Sequence, residues 1–544
     1  MRTSEIHRRW LAFFAKKDHE IVPSASLVSS DPSILFTIAG MVPFIPYIVG
    51  TETAPYPRAA SVQKCIRTND IENVGRTTRH GTFFQMAGNF SFGDYFKQGA
   101  IDYSWEFLTT PQDQGGLGFD PERLWFTVWE QDEESYRHVT EVIGLDPQRV
   151  VRLPREEIFW DTGQPGPAGP CGEWHFDRGP EHGPEAVTGT VPEWPGDEQA
   201  EDRYIEIWNL VFDQYLRGEG SGKDYPLLGE LEQKSIDTGL GVERVAFLLQ
   251  GKQNMYEIDQ IFPVIEKAQE LTGRRYGAVE EDDVHLRIIG DHVRSALMLV
   301  ADGVRPGNEG RGYVLRRLIR RAVRSMRLLG YTQPSMPQLL PISHSLMVES
   351  YPELEADFAR ISEIVHAEEE AFRRTLETGT TIFDGVVGAV KEEGGRVLPG
   401  EDAFRLHDTY GFPIDLTMEM ASEVGLQVDA EAFRSAMQEQ RERARADAAA
   451  KKAGHTDTAL YSRLLSQRGG EVPFVGYTED TVATTVESVL VDGQLVDTVH
   501  APAQVEVVLA TTPFYAEAGG QLADQGQISL TGGGLIEVDD VQKP

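Results

Sequence analysis

Residues 67–97 read RTNDIENVGRTTRHGTFFQMAGNFSFGDYFK. An arginine and a polar loop lead into aromatics at Phe83, Phe84, Phe90, Phe92, Tyr95 and Phe96, interrupted by Gly88 and Gly93. Arg79, His80 and Lys97 supply cationic ends. The pattern predicts a strand, a turn and a return strand, with aromatic surface for a flat partner and cations for an anion. A purine nucleoside triphosphate combines both properties. Taken alone, the stretch also fits a plain hairpin with its aromatics packed in a core.

A second string, DTGLGVER at residues 237–244, couples to the first. Glycines where a strand gives way to a helix let a ligand approach the backbone, and a helix N-terminus favours anions. Arg244, one turn into that helix, can reach a phosphate. By itself the string also fits an ordinary helix start with a surface arginine.

The surrounding chain bounds the reading. Its 544 residues, 40% hydrophobic and 25% charged, predict a globular protein of about three domains. A formal net charge of -35 repels nucleic acid at long range, so any polyanion site has to be a local basic patch. The two cysteines, Cys65 and Cys171, are too few for a disulfide framework or a cysteine zinc site. The opening MRTSEIHRRWLAFF lacks a signal-peptide pattern, and no apolar run is long enough for a bilayer. A cytoplasmic protein with no membrane partner is the expectation.

Along the chain, residues 3–17 predict an amphipathic helix with Ile6, Trp10, Phe13 and Phe14 on one side. From 21 to about 110, short apolar runs predict antiparallel strands. DTGQPGPAGPCG, after Trp160, predicts a loop-rich zone, and residues 179–202 an acidic surface insertion. YIEIWNLVFDQYL from Tyr204 has strand character. Helical patterns dominate from 255 to about 455, ending in EQRERARADAAAKKAG; alternating Val, Thr and Gly from 472 to 544 predict β-structure. The fold class expected is α+β, with regions at 1–250, 251–456 and 457–544.

One basic patch stands out. Residues 305–327 hold eight arginines and one acid, Glu309. At helical spacing Leu315, Leu318, Ile319, Ala322, Val323 and Met326 share one face; Arg316, Arg317, Arg320, Arg321, Arg324 and Arg327 share the other. A solvated cationic face is one reading. In so acidic a chain, phosphate contact is the stronger one.

Residues 67–97 and 237–244 resemble motifs 2 and 3 of the class II aminoacyl-tRNA synthetases. With DPSILFTIAGM (31–41), YIEIWNLVF, GNEGRGYVLRRLIRRAVR from Gly307, FRLHDTYGFPIDLT from Phe404 and FYAEAGGQLADQG from Phe514, the chain resembles the alanyl-tRNA synthetase family along most of its length. The resemblance implies an antiparallel catalytic sheet with flanking helices, an all-helical tRNA-binding domain and a partial β-barrel. It implies ATP-dependent activation of L-alanine and transfer to the 3′ end of alanine tRNA, with Mg²⁺ on the phosphates. Arg67 would bridge carboxylate and α-phosphate, Arg244 grip the γ-phosphate, Phe84 stack on adenine and the Met86 backbone read its edge. Asp237 would hold the α-ammonium, and Trp160, Asn209, Val211 and Gly239 bound the side-chain pocket. Asp237 also fits a helix N-cap, and Trp160 and Val211 plain core. In the tRNA domain the resemblance points to Arg316, Arg317, Arg320 and Arg321, and to Asn308 and Asp408 for a G·U pair in the acceptor stem. Asn308 and Asp408 also fit local turns.

The sequence departs from the family in two places. Only Thr68 separates Arg67 from Asn69-Asp70, where many members carry a longer loop with a lysine. Beyond 472 there is no HxxxH zinc pair, and His500 is the only histidine. The resemblance therefore implies no metal ligands, no editing, no DNA partner and a monomer, with zinc belonging to a part of the family pattern absent here. A tRNA-binding relative without catalysis, or a paralogue for another small amino acid, are the competing readings.

Overall fold

The computed structural model of the chain describes residues 1–29, 34–161, 165–183, 202–220, 222–410, 412, 414–440, 461, 463–465, 468, 470, 472–491, 494–501, 503–516, 523–531 and 534–543. Residues 31–33, most of the acidic insertion, the charged run at 441–454 and part of the string from Phe514 lie outside the described residues. The chain divides into two compact units, Met1–Ala389 with Leu406–Glu423, and Val390–Arg405 with Val424–Pro544.

The first unit is α+β and rests on one sheet. Its strands are β1 (Glu20–Ile21), β2 (Arg58–Ile66), β3 (Phe83–Phe92), β4 (Leu124–Trp129), β5 (Val150–Leu153), β6 (Phe159–Asp161), β7 (Gly166–Asp177), β8 (Tyr204–Arg217) and β9 (Leu227–Gly241). In space they run β1-β2-β3-β9-β8-β7-β4-β5, with β6 on β7. The central pairs are antiparallel, as expected; β1–β2 and β4–β5 are parallel, so the sheet is mixed at its edges.

Two local expectations change. Lys97–Thr109 is a helix rather than a strand, because Ala100, Ile101, Ser104, Phe107 and Leu108 recur at helical spacing and are all buried. The Gly-Pro stretch beyond residue 165 is not a loop but β7, paired with β8 through a register shift between Ala168 and Cys171. Gly169 explains why glycine is needed there. A Cβ on it would lie 1.7 Å from the Phe212 carbonyl oxygen of β8.

The helix Thr3–Ala15 buries Ile6, Trp10 and Phe14 at four-residue spacing. Trp10 packs against Trp208 of β8 at 4.8 Å and against Phe107 at 5.5 Å between ring centres. A fully buried side chain such as Phe14 stabilises the fold by about 1.5–3 kcal/mol. On β3 the alternation is strict at first: Phe83 and Gln85 are buried, while Phe84 and Met86 are half-buried on the opposite face. Phe90 and Phe92 are core, with the Phe90 ring packed at a tilt 4.2 Å from Phe44. For these rings the plain-hairpin reading is right.

Helices Phe262–Thr272, Glu280–Ala301, Gly310–Leu328, Met336–Met347 and Leu354–Glu392 follow. Buried polar contacts fasten them to the sheet. Arg294, fully buried, pairs with Glu243 at 3.0 Å and donates to the Phe83 carbonyl at 2.8 Å. Tyr351 donates to the Gln85 side chain at 3.1 Å.

Gly310–Leu328 has the expected apolar face. Its arginine face is not a solvated stripe, the weaker of the two readings of the sequence. Arg320, Arg321 and Arg324 are at most 7% exposed. Glu368, from the neighbouring long helix, accepts from Arg320 at 2.7 Å and pairs with Arg316 at 3.3 Å. Arg317 pairs with Glu72, and Arg321 donates to the Ile71 carbonyl at 2.7 Å. Packing against other elements, rather than solvent, receives much of this charge.

In the second unit Val397–Leu398 pairs with Gln427–Val428. Val486–Val491 pairs with Gln494–Val496 and Glu506–Leu509, and Gly526–Ser529 with Leu535–Val538. Among the described residues, the region expected as a partial barrel holds two small separate antiparallel sheets.

Candidate active site

The sheet positions the site by alternation. On β8, Trp208, Leu210 and Phe212 are buried on the helix side, which leaves Ile207, Asn209 and Val211 on the other. On β9, Asp237, Gly239 and Gly241 share that second face, as do Phe84 and Met86 on β3. Cross-strand register sets Asn209 beside Gly239 and Val211 beside Asp237. A cavity of about 330 Å³ opens over this floor. It is lined by all nine residues expected for nucleotide and amino acid: Arg67, Phe84, Met86, Trp160, Asn209, Val211, Asp237, Gly239 and Arg244. Two arginines 177 positions apart in the chain (244 minus 67) thus share one cleft.

Each strand end supplies its cation differently. Arg67 follows the last residue of β2; its backbone N–H donates to Thr82 at 3.0 Å and its Nε to the Ile38 carbonyl at 3.2 Å. Its guanidinium lies 4.9 Å from the centre of the Phe84 ring, a cation–π contact. Arg244 stands in the first turn of the helix Val242–Leu249, which begins directly after β9. It donates to the Glu206 carboxylate at 2.8 Å and to the Glu206 carbonyl at 3.2 Å. Gly239 leaves room for Met86: a Cβ there would lie 2.9 Å from the Met86 sulfur.

Asp237 is not a helix cap. The helix starts five residues later, with Gly241 at its cap position. The carboxyl is 5% exposed, and burial pushes it up to about 7. One step further along the same face, Asp213 is fully buried with neither oxygen hydrogen-bonded. Burial and then the nearby Asp237 push it well above the usual carboxylate range.

The sequence reading missed the carboxylates of the cavity wall. Glu206 is disfavoured as a charge by burial, but Arg244, His175 and Arg67 outweigh that and hold it below the usual range. Glu173 on β7 accepts from the Asn209 amide at 2.6 Å and faces His175 at 3.3 Å. Asp70 and Glu243 line the same space. The available signal was an acid inside an otherwise apolar strand, as in the run from Tyr204, where an unpaired charge would be costly. Among the described residues no cluster of three or more His, Cys, Asp or Glu side chains forms a metal cage, and both cysteines are buried thiols. No helix among them is long and apolar enough to cross a membrane.

The residues expected to meet tRNA are dispersed differently. Asn308 is exposed, just ahead of Gly310–Leu328, and accepts from Arg316. Asp408 is exposed on the helix Gly400–Tyr410. Arg316 and Arg317 are partly exposed, whereas Arg320 and Arg321 are buried.

The chain is similar to known proteins along its length. The profile of the family described as tRNA synthetases class II (A) matches residues 5–544. Alanine--tRNA ligase of Kineococcus radiotolerans is 58% identical over 545 residues, covering 100% of this chain and 60% of that protein. Alanine--tRNA ligase of Kocuria rhizophila is 58% identical over 551 residues with the same coverage. The chain therefore spans 60% of the length of the curated relatives it matches. Among solved structures, a pyrrolysyl tRNA synthetase of Desulfitobacterium hafniense matches 47% of this chain and 71% of its own at 11% identity, with a TM-score of 0.21, too loose to bear on the fold. On the profile match and the identity of these relatives, the chain belongs to the class II (A) tRNA synthetases.

Proposed function

We propose that the chain activates L-alanine with ATP and transfers it to the 3′ end of alanine tRNA. The observation that carries this is the convergence of Arg67, Arg244 and Asp237 on one cavity with Phe84 and Trp160. The names of the similar proteins supply the amino acid.

The chemistry joins two anions. A carboxylate oxygen of alanine attacks the α-phosphorus, a P–O bond forms, and pyrophosphate leaves. The 3′-terminal hydroxyl of tRNA then attacks the carbonyl carbon and AMP leaves. Arg67 lies between the anions, cancels their repulsion and stabilises charge building on the phosphoryl oxygens. Its planar fork suits two oxygens at once. Arg244 grips the γ-phosphate and exchanges its Glu206 contact for it. Adenine takes the face of Phe84, which the Arg67 guanidinium leaves on moving to the α-phosphate, with the Met86 backbone at its edge. Ionised Asp237 holds the ammonium; Trp160, Asn209, Val211 and Gly239 close around the methyl group. No covalent enzyme intermediate is needed, since positioning and electrostatics supply the acceleration.

Mg²⁺ takes oxygen ligands and commonly uses one or two carboxylates together with phosphates and water. The donor set fits: Glu206, beside Arg244 on the cavity wall, would hold it, and it would supply further neutralisation of the triphosphate. Acceptor-stem phosphates meet Arg316 and Arg317 on the helix Gly310–Leu328, with Asn308 and Asp408 at the G·U pair.

ATP–pyrophosphate exchange with a panel of amino acids tests the reading. Exchange with alanine well above glycine and serine is expected. Exchange with none of them would favour a tRNA-binding relative without catalysis.

A further inference from the structure

The loop between β2 and β3, residues 67–82, is long for a strand connection and carries one short turn, Asn69–Glu72. It contributes Arg67, Asp70, Arg79, His80 and Gly81 to the cavity. A loop with so little structure of its own takes its shape from whatever binds its backbone.

We propose that Arg321 and Arg317 are positioning residues of the ATP site, which hold the Asn69–Glu72 turn in the geometry that receives the nucleotide. Arg321 is 5% exposed and donates to the Ile71 carbonyl at 2.7 Å, between Asp70 and Glu72. One helical turn earlier, Arg317 pairs with the Glu72 carboxylate. Both contacts reach from the helix Gly310–Leu328 to a loop some 250 residues away. The helices clamp the loop further along as well. Arg287 donates to the Gly75 carbonyl at 3.0 Å, and Tyr256 donates to the His80 carbonyl at 2.6 Å while accepting from the Gly75 N–H at 2.8 Å.

The arginine face of this helix is therefore divided. Its partly exposed members are available to tRNA phosphates, while its buried edge shapes the nucleotide loop. Arg317 belongs to both sides. A stem phosphate competing for its guanidinium would loosen Glu72, so the same residue couples the two substrates. This inference rests on the aminoacylation reading, but its test separates the two.

Pyrophosphate exchange without tRNA is the discriminating assay, because a residue that serves only tRNA cannot affect it. Arg321→Gln is expected to raise KM for ATP about tenfold, the scale of one charged hydrogen bond, with KM for alanine unchanged. Arg321→Lys is expected to restore part of the loss. Arg317→Gln, at a partly exposed site, is expected to raise KM for ATP several-fold. Backbone hydrogen exchange on the unliganded chain gives a readout independent of activity. Amides at 69–76 are expected to exchange about tenfold faster in Arg321→Gln, with β8 amides unchanged. Unaltered KM for ATP in both Gln variants, or unaltered loop exchange in Arg321→Gln and Arg317→Gln, overturns the proposal. Absence of any exchange activity in the wild-type chain overturns the aminoacylation reading instead, and the amide rates still decide this one.

Discussion

At the scale of single residues, the cavity places cations and carboxylates side by side, and each has a distinct expected signature. On the proposed aminoacylation reading Arg67 acts mainly once charge develops on phosphorus, so Arg67→Ala is expected to cut kcat for adenylate formation by about 100-fold or more, read by pyrophosphate exchange. Exchange near the wild-type rate would remove it from the reaction. Asp237 gives a pH signature. Its carboxyl, pushed up to about 7 by burial, has to be ionised to hold an ammonium. KM for alanine is expected to fall as pH rises through about 7, and Asp237→Asn is expected to lose that limb together with most activity. The same shift works against folding. Because the folded-state value lies above that of an unfolded carboxyl, the cost is absent at low pH and complete above about 7. Asp237→Asn is therefore expected to melt higher than wild type at pH 8, with the gain vanishing near pH 4. That Arg67 and Asp237 share a site was legible in the sequence because their neighbours form recognisable strings. Glu173 and Glu206 were not, since an isolated acid in a strand has no local signature of what faces it.

At the scale of elements, strand alternation does most of the positioning, and a glycine carries the point where sequence reading failed. Proline and glycine at 165–173 read as a loop, yet β7 is a full partner of β8. The register shift at Ala168 brings the two backbones so close that Gly169 has no space for a side chain. Gly169→Ala is expected to destabilise the chain by about 1–3 kcal/mol, because the contact is with backbone that cannot rotate away. An unchanged urea midpoint would show that the strands yield more easily than their pairing indicates. The residues 97–109 failed in the other direction: they continue a run of predicted strands, yet their buried positions recur at helical spacing.

At the scale of the whole molecule, the helices beyond residue 251 belong physically to the sheet they cover in the first unit. Arg294 and Glu243 form a buried pair that neither can leave without stranding the other. Arg294→Ala is expected to cost about 3–5 kcal/mol, measured by chemical denaturation, and to lower soluble yield. A loss under 1 kcal/mol would mean that water reaches Glu243. The sequence by itself determined the α+β class, the sheet with its strand-to-helix turn at Gly241, and the grouping of Arg67, Phe84, Asp237 and Arg244 as candidates for one site, which the cavity bears out. Those features follow from residue types at short spacing, which fix local backbone and which groups can meet a phosphate or an ammonium. Only the tertiary structure decided which arginines of Gly310–Leu328 face solvent and which are buried, and which carboxylates complete the cavity. Burial and pairing depend on elements hundreds of residues apart, and no periodicity within one helix records what will pack against it.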